Sequence, residues 1–489
     1  MFGINWKVIL NVVFAISFII GVAFLIPFFI SVICVEQINI SFGLSSIIIL
    51  LISLWGYFNT KDAKNTLGKR EGYLIVTLSW FFIGLLGALP YYFSIDNLSF
   101  ASSVFESFSG FTTTGASIFD DLETLPRSIL IWRSLTQWIG GMGIIVFTVA
   151  IFPLLGIGGV ELFVAESPGP TSSKIHPRIK ETARRLWYVY VGMTLMLMFI
   201  LFLEGMDWFD SINHGMTTMA SGGFSTKNQS IAFFNSAVIE YTLVFFMFLA
   251  GINFTLIYFG FKGKFKRFAH SEEFKAYFGL VILSTLFVWA LIHFNTSQSM
   301  ALSFRQSLFQ VVSVITTTGF VTADYTSWHI SGTFFFFMLL FVGGCAGSTS
   351  GGVKIIRHLV FAKNSFLEFK RLLHPNALLR VRLDNEIVRA RILTHILVFL
   401  LQYIFVFFAG VFIMTFILSD FDQPILSALG AVATALSNVG PGIADLGPTD
   451  NFSAVPDSGK CILSFIMLIG RLEIFSVLIL FTPYFWRNN

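Results

Sequence analysis

Phe111-Thr112-Thr113-Thr114-Gly115-Ala116, Ala220-Ser221-Gly222-Gly223-Phe224, Ile315-Thr316-Thr317-Thr318-Gly319-Phe320 and Leu436-Ser437-Asn438-Val439-Gly440-Pro441 are four versions of one pattern. Each is a short amphipathic segment that ends in small residues and a glycine turn, and each lies between two long apolar segments. A hydrophobic unit, a polar re-entrant piece and a second hydrophobic unit therefore recur four times, as expected for one pore built from a single polypeptide.

Composition supports a membrane setting. The 489 residues are 55% hydrophobic, 17% aromatic and only 12% charged, with a mean hydropathy of +0.79, too apolar for a water-soluble globule. Taking about 20 apolar residues per crossing, an N-terminal helix pair is expected near 8–35 and 39–58. Further spans are expected near 72–93, 128–153, 186–204, 232–260, 276–294, 330–357, 392–418 and 459–484. The first run is too long for a signal-peptide core and lacks a small-residue cleavage site, so it reads as a retained helix. Cys34, Cys345 and Cys461 lie in or near apolar segments without CxxC spacing, which points to neither a disulfide framework nor a zinc site.

The net charge of +4 hides an asymmetry. Four linkers hold 23 of the 31 Lys and Arg: Lys61 to Arg70, Lys174 to Arg185, Lys262 to Lys275, and Lys354 to Arg391. The positive-inside rule places such linkers in the cytoplasm, and ten spans then put both termini there. Basic clusters beside membrane spans argue against nucleic-acid binding.

The segments 100–113, 208–220, 301–316 and 424–437 are each about a dozen residues, roughly 18 Å as helices, enough to enter a bilayer but not to cross it. Irregular backbone at membrane depth is tolerated only where it is buried or lines water, so the turns that follow should line a cavity. Glycine allows backbone dihedrals that aim carbonyls inward, and half-helix C-termini direct partial negative charge to the centre, which favours a cation. Gly223 rather than Gly222 aligns with Gly319, because both precede Phe and stand nine residues after His214 and Gln310. Gly115 and Gly440 complete the ring. The coordinating carbonyls would come from Thr113 and Thr114, Ser221 and Gly222, Thr317 and Thr318, and Asn438 and Val439, with Asp120, Asp121, Asp324 and Asp445 concentrating cations at the outer mouth.

Two further features suggest a gate. Gly343, Gly344, Gly347, Ser348, Thr349, Ser350, Gly351 and Gly352 interrupt an apolar span, and each glycine disfavours helix by about 1 kcal/mol relative to alanine. A flexible mid-membrane loop is expected, with small-residue helix packing as the alternative. Arg471 lies in an apolar segment whose only other charge is Glu473, two residues away and on another helix face. A pore-facing charge that regulates cation passage is favoured over an ion pair to a neighbouring helix. Lys354 and Arg357 read as snorkelling residues at the cytoplasmic end.

On these residues the chain resembles the Trk/Ktr/HKT superfamily of potassium transporters, and within it the TrkH-like bacterial subunits. The resemblance also rests on Ser107-Phe108-Ser109-Gly110, Gln137-Trp138-Ile139-Gly140-Gly141-Met142-Gly143-Ile144, Gly343-Gly344-Cys345-Ala346-Gly347-Ser348-Thr349, His374-Pro375-Asn376-Ala377, Gly440-Pro441-Gly442 and Gly470-Arg471-Leu472-Glu473. It implies an all-α polytopic membrane protein with four pseudo-repeats of helix, pore helix and helix around a central pore. With the N-terminal helix pair at 1–60, the repeats would occupy 72–160, 185–262, 276–360 and 390–489. It further implies a homodimer in the bacterial inner membrane, potassium (K+) as the transported ion, and gating by a cytoplasmic nucleotide-binding partner of the TrkA type. Ser350 stands where a glycine is more usual, and Ser221 where the filter is often apolar. A rocking secondary cation transporter is the alternative, although its repeats should be inverted. An intramembrane enzyme using His214 or His374 is disfavoured, because no HExxH, carboxylate dyad or GxSxG element is present and no organic cofactor motif occurs.

Overall fold

The computed structural model describes residues 4–34, 40–61, 68–151 and 179–487. Basic residues Lys64, Lys174 and Arg178, and the stretch 152–160 at the expected end of the first repeat, lie outside these. Helices α1 (Trp6–Ala23), α2 (Leu25–Ile33) and α3 (Ile40–Thr60) form the N-terminal pair. Ser46 Oγ joins the pair by donating to Gly21 O, and the pair packs on α4 (Lys69–Ser94) and α6 (Arg127–Ile151), with Phe24 tilted against Trp132 at 4.5 Å.

Four times, a helix of 12–16 residues is wedged between two other helices. In the first repeat α5 (Phe100–Phe111) lies between α4 and α6; in the second α8 (Trp208–Ala220) lies between α7 (Ile179–Leu203) and α9 (Ala237–Ala250). Helices α10 (Phe254–Phe261) and α11 (Lys266–His270) lead to the third repeat. There α13 (Met300–Ile315) lies between α12 (Glu272–Asn295) and α14 (Ile330–Leu339). After α15 (Ile355–Leu373), the fourth repeat sets α17 (Pro424–Ser437) between α16 (Ala390–Ile417) and α18 (Asp457–Arg471). The chain closes with α19 (Phe475–Leu478) and α20 (Pro483–Trp486). The repeats interlock: α6 packs on α8, α9 on α13, and α18 returns to α5.

Local chemistry starts and stops the short helices where half a membrane requires. Ser99, Asp207 and Ser299 cap α5, α8 and α13 by accepting backbone N–H bonds, and Pro424 opens α17. At 12, 13, 16 and 14 residues they span roughly 18–24 Å. Each lies within two residues of its expected bounds.

Among the described residues six helices are long and apolar enough to cross a membrane, or eight if two bent pairs each count as one. The expected spans near 232–260 and 459–484 are those pairs, bent by 109° between Ala250 and Phe254 and between Arg471 and Phe475. Asn253 restarts the first by capping Thr255 N. The second bend holds Glu473 and Ile474 at φ 57° and 59°, a costly conformation for a β-branched residue. The span expected near 330–357 is no single helix: α14 stops at Leu339 and α15 begins at Ile355. The long basic linker is structured too. Its helix α15 is followed by a hairpin, Arg382–Leu383 against Glu386–Ile387, turning at Asp384 and Asn385 with positive φ. Ile356, Val360, Val381, Leu383 and Ile396 form a small separate core there.

Candidate functional site

All four short helices end in the same way. The residue just beyond the last turn is left-handed, with φ 55° at each of Thr113, Ser221, Thr317 and Asn438. The following N–H reaches back five residues: Thr114 to Ser109 O, Gly222 to Thr217 O, Thr318 to Ser313 O and Val439 to Thr434 O, at 2.8–3.1 Å. This is a Schellman-type stop with no glycine at the left-handed position, and only Asn438 is a residue that tolerates it well. Glycine comes two residues later, at φ 83°, 75°, 81° and 105° for Gly115, Gly223, Gly319 and Gly440.

The reason for glycine is the neighbouring repeat. A Cβ on Gly115 would run into Gly222 O, one on Gly223 into Thr318 O, one on Gly319 into Val439 O, and one on Gly440 would approach Thr114 O to 2.8 Å. These contacts run from repeat 1 to 2, 2 to 3, 3 to 4 and 4 back to 1, so the four turns close a ring. Each step matches the glycine of one repeat with the carbonyl just before the glycine of the next. The flanking side chains are buried hydroxyls and amides: Thr112 pairs with Thr114 and Thr316 with Thr318, both at 2.8 Å, and Asn438 Nδ2 donates to Thr114 Oγ1 at 3.0 Å. Among the described residues, the buried Thr113 Oγ1 and Asn438 Oδ1 have no hydrogen-bond partner. Gln137 was not assigned a role from its residues alone, yet its amide brackets Gly223, donating to Gly222 O at 2.6 Å and accepting from Phe224 N at 3.1 Å. The signal was a polar amide inside an apolar span.

The stretch from Gly343 to Gly352 lies against this ring, and six of its backbone N–H groups have partners among the described residues, five of them beyond the local turn Ser348 N to Cys345 O. Gly343 N donates to Val353 O, Gly344 N to Ser350 Oγ, Cys345 N to Gly251 O, Ala346 N to Glu273 Oε1, and Gly351 N to Thr317 Oγ1. Thr349 Oγ1 bonds Ser221 Oγ at 2.8 Å, so two of the left-handed turn residues hold the loop through their side chains. A Cβ on Gly351 would clash with Ser437 O, which fixes the closeness of loop and fourth turn. The small-residue helix packing considered from sequence is therefore ruled out, and the loop is pinned rather than slack.

Arg471 ends α18 beside the loop. Its guanidinium donates to Thr349 O at 3.0 Å, Gly140 O at 2.6 Å and Gly141 O at 3.3 Å, joining the loop to α6 just before the break at Gly143. Lys354 and Arg357 correct the snorkelling expectation. Lys354 Nζ folds back onto Ser350 O and Oγ, while Arg357 is buried, pairs with Glu473 and covers the Phe399 ring at 3.9 Å. A charge held inside the fold needs a partner, because leaving it desolvated and unpaired is costly.

Of the acidic residues, Asp120 and Asp121 tie the first repeat to the fourth and second, whereas Asp445 stays within the fourth. Asp120 accepts from Asn451 and Ser453, Asp121 from Asn228, and Asp445 from Ser427 and Gln423 N. The Asn228 hydrogen bond, with help from Glu123 N, holds the Asp121 carboxyl below its ordinary range. Asp450 shifts upward, chiefly from burial, with Asp324 and Asp445 adding to it. Among the described residues no cluster of three or more His, Cys, Asp or Glu could hold a metal. A cation in the ring would meet backbone carbonyls instead.

Apolar spans, half-crossing helices and a closed ring of carbonyl-bearing turns define a polytopic membrane protein with four pseudo-repeats about a central pore. The chain belongs to the TrkH family of cation transport proteins, whose model matches residues 37–487. It is 40% identical over 471 residues to the Trk system potassium uptake protein TrkH of Escherichia coli K12, covering 95% of this chain and 96% of that one. The TrkG protein of the same strain is 35% identical over 454 residues, covering 91% and 92%. Among solved structures, the potassium transporter TrkH from Vibrio parahaemolyticus superposes with a TM-score of 0.89 at 36% identity, covering 99% of this chain and all of that one. The function is transport, not catalysis.

Proposed function

We propose that this chain takes up potassium across the bacterial cytoplasmic membrane through a single pore. Its filter consists of Thr113, Thr114 and Gly115; Ser221, Gly222 and Gly223; Thr317, Thr318 and Gly319; and Asn438, Val439 and Gly440. The observation that carries this reading is the closed ring in which each filter glycine abuts the next repeat's carbonyl. A dehydrated K+ exchanges its water for such carbonyls, and a turn with one glycine offers few layers of them, so discrimination is moderate. The relatives' naming as potassium uptake proteins and a potassium transporter supports the choice of ion.

In this reading the units fall near 72–160, 185–262, 276–360 and 390–489, both termini are cytoplasmic and two chains form a homodimer. The loop Gly343 to Gly352 with Arg471 is the gate beneath the filter, opened through a separate nucleotide-binding protein that docks on the basic cytoplasmic face. Support for the gate is the loop's attachment to Ser221, Thr317 and Arg471 at once. Reversal potentials of the purified protein in planar bilayers test the function: K+ and Rb+ should permeate well and Na+ poorly. A preference for Na+ overturns it.

A further inference from the structure

Each filter turn leaves its glycine through an ascending limb, and something must stop that limb from moving outward when a cation presses on the carbonyls. Three of the four repeats solve this at one shared position, nine residues before the glycine. Glu106, His214, Gln310 and Ala431 stand there relative to Gly115, Gly223, Gly319 and Gly440, and all four are buried.

Three of them reach the limb of their own repeat. The Glu106 carboxylate accepts from Ile118 N at 3.0 Å and from Ser117 Oγ at 3.1 Å. His214 Nε2 bonds Ser225 Oγ at 3.0 Å, and its Nδ1 is engaged by Asp210 O. Gln310 Nε2 donates to Ala323 O at 3.0 Å and lies 3.5 Å from Thr322 Oγ1. Ala431 can make no such bond, and the fourth limb is held from another repeat: Tyr325 Oη donates to Gly442 O at 2.7 Å. Arg133 joins the first two limbs, since its guanidinium binds Glu106 at 2.7 Å, Ser117 Oγ at 3.0 Å and Ser225 O at 3.0 Å and covers the Phe224 ring at 4.1 Å.

Each turn is thus fixed at both ends. The helix side is held by the five-residue N–H bonds and the outgoing side by these clamps, so the carbonyl between them cannot easily close in on a smaller ion. We propose that Glu106, His214 and Gln310, together with Arg133 and Tyr325, are filter-positioning residues that set the discrimination between K+ and Na+. None of them contacts the ion. The inference rests on the potassium-pore reading above.

Permeability ratios measured in proteoliposomes test it. His214→Ala and Gln310→Ala should each raise Na+ permeability relative to K+ about five- to tenfold, the scale of one hydrogen bond lost. His214→Gln, which installs the side chain that serves the third repeat, should recover the ratio that His214→Ala loses. Tyr325→Phe removes a single oxygen from the fourth limb and should relax selectivity without disturbing packing. An equal fall in K+ and Na+ flux, or an unchanged ratio in all three truncations, overturns the inference. Failure of the function itself reads differently, as a wild-type protein with no K+ preference.

Discussion

Replacing Arg471 by alanine is the sharpest test of the gate. Among the described residues the guanidinium bonds the loop at Thr349 O and the carbonyls of Gly140 and Gly141. A hydrogen bond to a charged group contributes about 1.5–3 kcal/mol, so losing the Thr349 contact should shift the loop toward the open state by about ten- to a hundredfold. The charge acts in the same direction: a cation about 5 Å away at an effective dielectric of about 20 is repelled by roughly 3 kcal/mol, again about a hundredfold. Both effects belong to one group and do not simply add. Flux of 86Rb+ into proteoliposomes should therefore rise about ten- to a hundredfold, while the preference for K+ over Na+ persists because the filter carbonyls are untouched. Arg471→Lys keeps the charge but loses the fork that spans the loop and α6, and should fall between. If Arg471→Ala conducts at the wild-type rate while eluting and melting like the wild type, the residue only secures the helix bend and the gate reading fails.

Gly115→Ser and Gly319→Ser drive a side chain into the neighbouring repeat's carbonyl at positive φ; each should admit more Na+, read as a shift in reversal potential. Arg133→Met leaves Glu106 buried without its ion partner and should cost about 3–5 kcal/mol, seen as a lower melting temperature in detergent. Adding Glu106→Gln should restore part of that stability, and a double variant no more stable than the single one would contradict the assignment. Ser350→Gly removes the oxygen that accepts from Gly344 N and Lys354 Nζ; Lys354 keeps its bond to Ser350 O, so the net loss is the Gly344 bond at about 1 kcal/mol and flux should rise about fivefold.

The pore helices were legible because their stop signals are local. A run of Thr or Ser followed by glycine encodes the Schellman stop and the turn in the same few residues, and the nine-residue spacing from His214 and Gln310 set the alignment of Gly223 with Gly319 that the ring contacts display. The loop's position was readable from five glycines in an apolar run, but its tautness was not, since its partners Gly251, Glu273 and Thr317 are distant in sequence. The first 109° bend was hidden by apolar residues on both sides, while the second falls at Arg471 and Glu473, the only charges between Cys461 and Pro483. Asn253, a helix cap inside a hydrophobic segment, was the available clue to the first. Glu106, Arg133 and Arg357 were likewise visible as charges in apolar surroundings, which in a membrane calls for a named partner. Pairing them needed the third dimension.

The ring of glycines and carbonyls has a consequence for how such a pore can change. In a pore made of four identical subunits, one codon rewrites every wall at once, and an intermediate design cannot exist. Here a point substitution alters one wall and leaves three as they were, so affinity and selectivity can be graded in quarter steps. The walls are already unequal: Thr-Thr-Gly, Ser-Gly-Gly, Thr-Thr-Gly and Asn-Val-Gly face one another. Because each glycine makes room for a carbonyl from the next repeat, a larger residue in one wall is felt first by its neighbour. Compensating changes should therefore be found across the seam between successive repeats rather than within a single one.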